Sequence, residues 1–264
     1  MRRQCFEPRI TARLRVFRAL VPAAMLFLGL SPSQPAQLLP VTARIQIARE
    51  QAAKQAGRHA KGDDLSNVVV WLTPIGKSAY MPKASASSRI PPVLIQQNKS
   101  FEPHVLVVEV GTVVQFPNKD LFFHNIFSLY DGKRFDLGLY EAGTTRSLVF
   151  DRPGISYLFC NIHAEMSAVV VAVETPYFAL SNSGGIVTIP DVPDGRYQLH
   201  IWYERSSPDD LKALTRVVTI SDSERSLSAI RVVEMPNFTL AHKNKYGQDY
   251  VPPPTPGYAG PTSQ

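Results

Sequence analysis

The segment Phe159-Cys160-Asn161-Ile162-His163-Ala164-Glu165-Met166 carries a thiol, an imidazole and a thioether at C-x2-H-x2-M spacing. A second imidazole, His124, lies upstream and is followed at once by Asn125. Two imidazoles, a thiolate and a thioether suit copper: the soft sulfurs favour Cu(I), and imidazole serves both oxidation states. A trigonal His2Cys set with a weak axial Met lets one electron come and go with little change of geometry. One copper ion is therefore expected, with His124, Cys160 and His163 in the plane and Met166 on the axis. Each residue also has a plainer reading. Met166 alone would be core filler, Cys160 an inert buried thiol, and His124, beside several Phe residues, a satisfied core His. The joint spacing favours the metal. His104 reads as an exposed strand-start residue. His59, His200 and His242 have no ligand-type neighbours and read as structural or solvated.

The elements that must position these donors are strands. Tyr157-Leu158-Phe159 delivers Cys160 to a tight loop, Val169-Val170-Val171 leads away, and His124 belongs at the end of another strand. Short apolar runs separated by turn residues continue from Val93: Val93–Gln96, Val105–Val110, Thr112–Phe116, Thr145–Phe150, Ile155–Phe159 and Ala168–Val173. Turns are expected at Gly111, Pro117-Asn118, Asp131-Gly132, Gly143 and Pro153-Gly154. This spacing, without a strong helix, predicts an antiparallel sandwich. Earlier, Asn67–Leu72 reads as a buried strand, Arg49–Ala56 as a weak helix or loop, and Lys77–Pro92 as a polar linker. Later strands are expected at Tyr177–Leu180, Ile186–Ile189, Tyr197–Trp202, Arg216–Ile220 and Ile230–Val233, with tight turns at Gly184-Gly185 and Pro193-Asp194-Gly195. Residues 236–264, rich in Pro and Gly, read as a disordered tail.

On the residues Phe116-Pro117-Asn118, Phe123-His124-Asn125 and Pro153 to Met166, the stretch 90–174 resembles the cupredoxin family, and its short ligand loop resembles that of amicyanin. The resemblance implies a Greek-key β-sandwich, one type 1 (blue) copper, and single-electron transfer with a redox protein such as a cytochrome c or a dehydrogenase. It implies that Asn125 ties the ligand-bearing loops together, that His163 is the electron's exit, and that Phe122, Phe123, Phe127, Phe159 and Ile162 keep the metal dry. Ala164-Glu165 departs from the amicyanin loop, which has proline after the His. Residues 176–234 resemble the carboxypeptidase regulatory-like, transthyretin-like sandwich through the Gly185–Trp202 pattern. Residues 42–75 are expected to supply its early strands, so that the cupredoxin is an insertion. The whole arrangement resembles bacterial proteins labelled methylamine-utilisation proteins, a label that follows the loop and implies no methylamine chemistry here. The fold class expected is all-β, with two sandwiches.

Residues 1–36 hold six Arg, one acid and the apolar run Ala19–Leu30, followed by small, turn-prone residues. That is the pattern of a signal peptide, with cleavage expected after Ala36 and a mature protein that is periplasmic or secreted. An uncleaved anchor is the alternative, but twelve apolar residues are short of the roughly 20 that span a bilayer. The chain has 28 Lys+Arg and 22 Asp+Glu. Without residues 1–36 the balance is 22 against 21, a net charge of +1, so a nucleic-acid partner is not expected. Cys5 leaves with the leader, and Cys160 then has no disulfide partner. No acid pair, nucleophile–base pair or phosphate loop points to an enzyme, and the remaining His residues are too scattered for an all-His copper site. Two other readings stay open: a copper carrier or sensor that does not cycle, and a structural β protein with a buried thiol.

Overall fold

A computed structural model describes residues 38–49, 64–76, 90–129, 132–240 and 242–250. The expected signal peptide, most of the Arg49–Ala56 segment, nearly all of the Lys77–Pro92 linker and the end of the tail lie outside the described residues. Among these, sixteen strands and one short helix run in chain order. The strands are β1 (Leu39–Arg49), β2 (Val69–Pro74), β3 (Ile95–Gln97), β4 (Ser100–Glu102), β5 (Val105–Glu109), β6 (Thr112–Pro117), β7 (His124–Ser128) and β8 (Phe135–Tyr140). Then come β9 (Thr145–Phe150), β10 (Gly154–Phe159), β11 (Ser167–Val173), β12 (Phe178–Leu180), β13 (Ile186–Val192), β14 (Gly195–Trp202), β15 (Arg216–Ile220) and β16 (Ile230–Glu234). The helix α1 (Pro208–Leu214) lies between β14 and β15. The molecule is all-β in class, as the alternation and turn signals imply.

Strands β3 to β11 pair among themselves. A five-stranded sheet, β5-β11-β10-β7-β8, faces the β3-β4 and β6-β9 pairs, and isolated bridges join β6 to the β3 side. Between these layers lie Leu94, Phe101, Val114, Phe116, Ile126, Phe150 and Leu158, all buried. This is a cupredoxin-like sandwich. Strands β1 and β2 pair instead with strands that follow β11, in the sheets β13-β1-β16 and β12-β2-β14-β15. Their facing sides enclose Val41, Ile45, Val70, Leu72, Tyr177, Val187, Tyr197 and Ile201. The tight connections at Gly185 and at Pro193–Asp194 are not hairpins, because each carries the chain from one of these sheets to the other.

A third cluster explains why β2 and β11 read as unbroken apolar runs. Side chains alternate across a strand. Val68, Val70 and Leu72 enter the second core, while Val69 points the other way. In β11, Ala168, Val170 and Ala172 enter the first core, while Val169, Val171 and Val173 meet Val69, Val105 and Trp202. Both strands are therefore buried on both faces, as near-continuous Val/Ile/Leu runs require. Each fully buried Val in this seam contributes about 1.5–3 kcal/mol, so the two sandwiches are firmly packed. The helix α1, for which periodicity offers too few residues, has a local explanation: Ser207 caps Asp210 N–H at 3.1 Å, Pro208 opens the first turn, and Asp209 and Asp210 sit at its positive end.

His104, expected to be an exposed strand-start residue, instead bridges the sandwiches. Its Nε2 meets Glu204 Oε2 at 2.7 Å, and its Nδ1 meets the Ser167 carbonyl at 3.2 Å. The Glu204 hydrogen bond raises its pKa above the usual 6.5, against a smaller opposing effect of burial. A raised folded-state value means that the imidazolium's contribution is fully present below 6.5 and is lost as pH rises through the folded pKa. Thermal melts should therefore show wild type losing stability, relative to His104→Gln, as pH climbs above 6.5. Parallel pH profiles for the two proteins would contradict this.

Candidate metal centre

The loop between β10 and β11 is short because the two strands pair right up to Phe159 and Ser167. Cys160 N–H donates to the Met166 carbonyl at 3.1 Å, and Met166 N–H donates to the His163 carbonyl at 3.2 Å. These two bonds fold Cys160 through Met166 into a closed turn. His124 opens β7, whose five residues are all buried between β10 and β8. The three donor atoms of His124, Cys160 and His163 consequently lie within 4.8 Å of one another.

The individual separations are informative. Cys160 Sγ lies 3.7 Å from His124 Nδ1 and 3.5 Å from His163 Nδ1. A sulfur about 2.3 Å and a nitrogen about 2.0 Å from one ion stand about 3.7 Å apart at a trigonal angle. Both sulfur–nitrogen separations are close to that value, so the thiol is spaced from the two imidazoles as ligands of one ion would be. His124 and Cys160 are fully buried, and His163 is half-buried. The His124 and His163 rings sit 5.0 Å apart at 61°. Met166 is fully buried in the same core as Cys160.

Burial and hydrogen bonding act in opposite directions on the ionisable groups of the cluster. Burial opposes ionisation of Cys160, yet His124 and the main-chain amides of Asn125, Ile162 and His163 outweigh it and hold its pKa below the ordinary thiol value. Burial likewise disfavours the His124 cation, but Cys160 and Asp120 overcome this and raise its pKa. His163 is lowered, by burial first and then by the charges of His124 and Lys99.

Asp120 is the functional residue that sequence reasoning missed. Its Oδ2 meets His124 Nε2 at 2.7 Å, which leaves Nδ1 free to face the thiol. A carboxylate on the outer nitrogen fixes both the tautomer and the orientation of a ligating His. Asp120 is itself fixed by the main-chain amides of Asn98 and Lys99, at 2.7 and 3.0 Å. Those two residues form the tight turn between β3 and β4, both with φ of +56°. Asn118 shapes the approach: its Oδ1 accepts Asp120 N–H at 3.1 Å, and its Nδ2 donates to the Phe122 carbonyl at 2.8 Å. An Asp four residues before a ligand-type His was the only signal available.

The remaining expectations sort by position. Asn125 reaches Cys160 through its main-chain amide, while its side chain donates to Asp136 Oδ1 at 2.7 Å. Phe122 lies 5.1 Å from the His124 ring and 5.6 Å from that of His163. Phe127 and Phe159 are buried, but Phe123 and Ile162 are about half exposed and form part of the surface. His200 stacks on Trp71, whereas His242 lies against the ligand loop. His59 lies outside the described residues. No helix among the described residues is long and apolar enough to cross a membrane.

No family model matches the chain, and no curated protein sequence matches it. Among solved structures, 31% of this chain is similar to 99% of a purple cupredoxin from Nitrosopumilus maritimus, at 26% identity and a TM-score of 0.29. A copper-containing nitrite reductase from Thermus scotoductus SA-01 is similar over 39% of this chain and 25% of its own, at 24% identity and a TM-score of 0.31. A mutant amicyanin in the Cu(I) state is similar over 37% of this chain and all of its own, at 21% identity and a TM-score of 0.30. These likenesses are confined to part of the chain. The class stated here, an all-β protein with a cupredoxin-like sandwich and a His–Cys–His cluster, rests on the strands and donors themselves.

Asp120→Ala removes the acceptor for two main-chain amides and one imidazole at once. Urea unfolding should show a loss of about 1–3 kcal/mol, with Asp120→Asn less affected because it keeps an acceptor oxygen. Equal losses for the two variants, or none, would sink this account of the loop.

Proposed function

We propose that this chain is a mononuclear type 1 copper protein acting in single-electron transfer. The supporting observation is the convergence of His124 Nδ1, Cys160 Sγ and His163 Nδ1 at the buried edge of a β-sandwich. Those three residues would hold the ion, with Met166 as a weak fourth donor. Copper bound there would supply one-electron chemistry by alternating between Cu(I) and Cu(II).

The chain's own residues account for the rest. His124 and the amides around Cys160 hold its pKa below the ordinary thiol value. Asp120 keeps the His124 ring turned inward. Strands β7, β10 and β11, paired on both sides, keep the donors in place, which suits a site that must serve two oxidation states. Phe122 shields the two imidazoles. Of the three, only His163 is not fully buried; its chain neighbour Ile162 is exposed, as are Leu121 and Phe123 on either side of Phe122, whose ring meets that of His163. A redox protein, such as a cytochrome c or a dehydrogenase, would dock over that edge. Full burial of His124 and Cys160 disfavours a carrier, which must hand its metal over. We read the protein as a carrier of electrons rather than an enzyme. The basic, apolar leader of residues 1–36 would send it to the periplasm or beyond. The second sandwich is read as carboxypeptidase regulatory-like.

The test is the visible spectrum of residues 37–264 loaded with Cu(II). An intense charge-transfer absorption is expected, abolished in Cys160→Ser. Stoichiometric copper without that absorption would instead favour a carrier. A folded protein that takes up no copper would overturn both readings.

A further inference from the structure

After β16 the chain returns to the ligand loop. Residues 242–250 form a turn with bonds of their own. Asn244 N–H donates to the Gln248 carbonyl at 2.9 Å, and Asn244 Oδ1 accepts the amides of Tyr246 and Gln248 at 2.9 and 3.0 Å. Gly247, with φ of +78°, supplies the left-handed position, and Lys243 pairs with Asp249 at 2.9 Å. This turn brings His242 and Tyr250, at its two ends, to 3.2 Å from each other.

Both side chains then reach the loop that carries three of the candidate ligands. The Tyr250 hydroxyl donates to the Cys160 carbonyl at 2.7 Å. His242 Nε2 meets the Ala164 carbonyl at 2.7 Å, where it must donate, and its ring stacks on Phe159 at 3.9 Å and 23°. Lys245 N–H donates to Asn161 Oδ1 at 2.9 Å. Lys245 Nζ meets Asp136 Oδ2 at 2.7 Å, and the other oxygen of Asp136 accepts from Asn125. The C-terminal turn thus grips Cys160, Asn161 and Ala164, and through Asp136 it reaches the residue after His124.

We propose that Tyr250, His242 and Lys245 are positioning residues for the ligand loop. The loop's internal hydrogen bonds fix Cys160 and Met166 to each other but leave the Cys160 and Ala164 carbonyls and the Asn161 side chain pointing outward. The C-terminal turn satisfies all three, so the loop is held from outside as well as from its own strands. Outer groups of this kind hold ligands in place for a metal. The inference rests on the copper reading for the ligand roles of Cys160 and His163, but the loop's rigidity can be measured without metal.

The variants are Tyr250→Phe and Tyr250→Phe with His242→Phe, in the full chain. Both keep an aromatic ring at each position, so packing on Phe159 survives and only hydrogen bonds are removed. Amide exchange of Cys160 and Met166 in metal-free protein should quicken roughly tenfold for each bond lost, while amides of β14 stay unchanged. With Cu(II) bound, the charge-transfer absorption should shift in position. Unchanged loop exchange in both variants overturns the proposal, as does a uniform acceleration that includes β14. If wild type takes up no copper, the reading of function fails, and the exchange rates alone still decide this one.

Discussion

One sulfur atom, buried and within 3.7 Å of two imidazole nitrogens, is the constraint around which the first sandwich is organised. A thiolate in an apolar core is costly unless partnered. Here the partners are the His124 side chain and three main-chain amides, drawn from β7 and from the turn after β10. Placing them requires β7 to lie beside β10, and the Cys160–Met166 turn to be closed by its own main chain. It also requires a carboxylate on the far side of His124. That carboxylate in turn needs the Asn98–Lys99 turn, so the β3–β4 hairpin is part of the same arrangement.

The second sandwich enters through the seam. Val169, Val171 and Val173 lie on the reverse face of the strand that leads away from the candidate ligands, and they pack on Val69 and Trp202. The strand that departs from Met166 is therefore buttressed by a separate core. His104 adds a polar tie from Glu204 to the Ser167 carbonyl, one residue beyond Met166.

Local signals were legible in the sequence, and long-range ones were not. His124, Cys160, His163 and Met166 could be picked out because ligand types at short spacing announce themselves. Strands β6, β9, β10 and β11 could be placed because alternation and Gly/Pro turns bracket them. Strand β7 was legible only as a strand with His124 at its end; its bounds escaped because all five of its residues are buried, which leaves no alternation to detect. Strand β8 escaped because Gly138, at φ +72°, and Asp136 break its apolar pattern. The helix α1 has only seven residues, too few for periodicity. The turn at 242–250 was hidden by composition: Pro and Gly nearby suggested disorder, while its ties to Asp136 and Cys160 cross 109 and 90 residues of sequence. Nothing local marks such contacts.

The interleaved strand order has a consequence for how the chain comes into being. β1 takes its neighbours from β13 and β16, and β2 from β12 and β14. During synthesis these first two strands emerge long before any of their partners, whereas β3 to β11 find theirs in one continuous stretch. The first sandwich can therefore close while two apolar strands wait with open edges, the state most prone to pairing with another chain. Each new molecule passes through an interval in which its oldest strands are its least protected, and that interval ends only when β16 has been made.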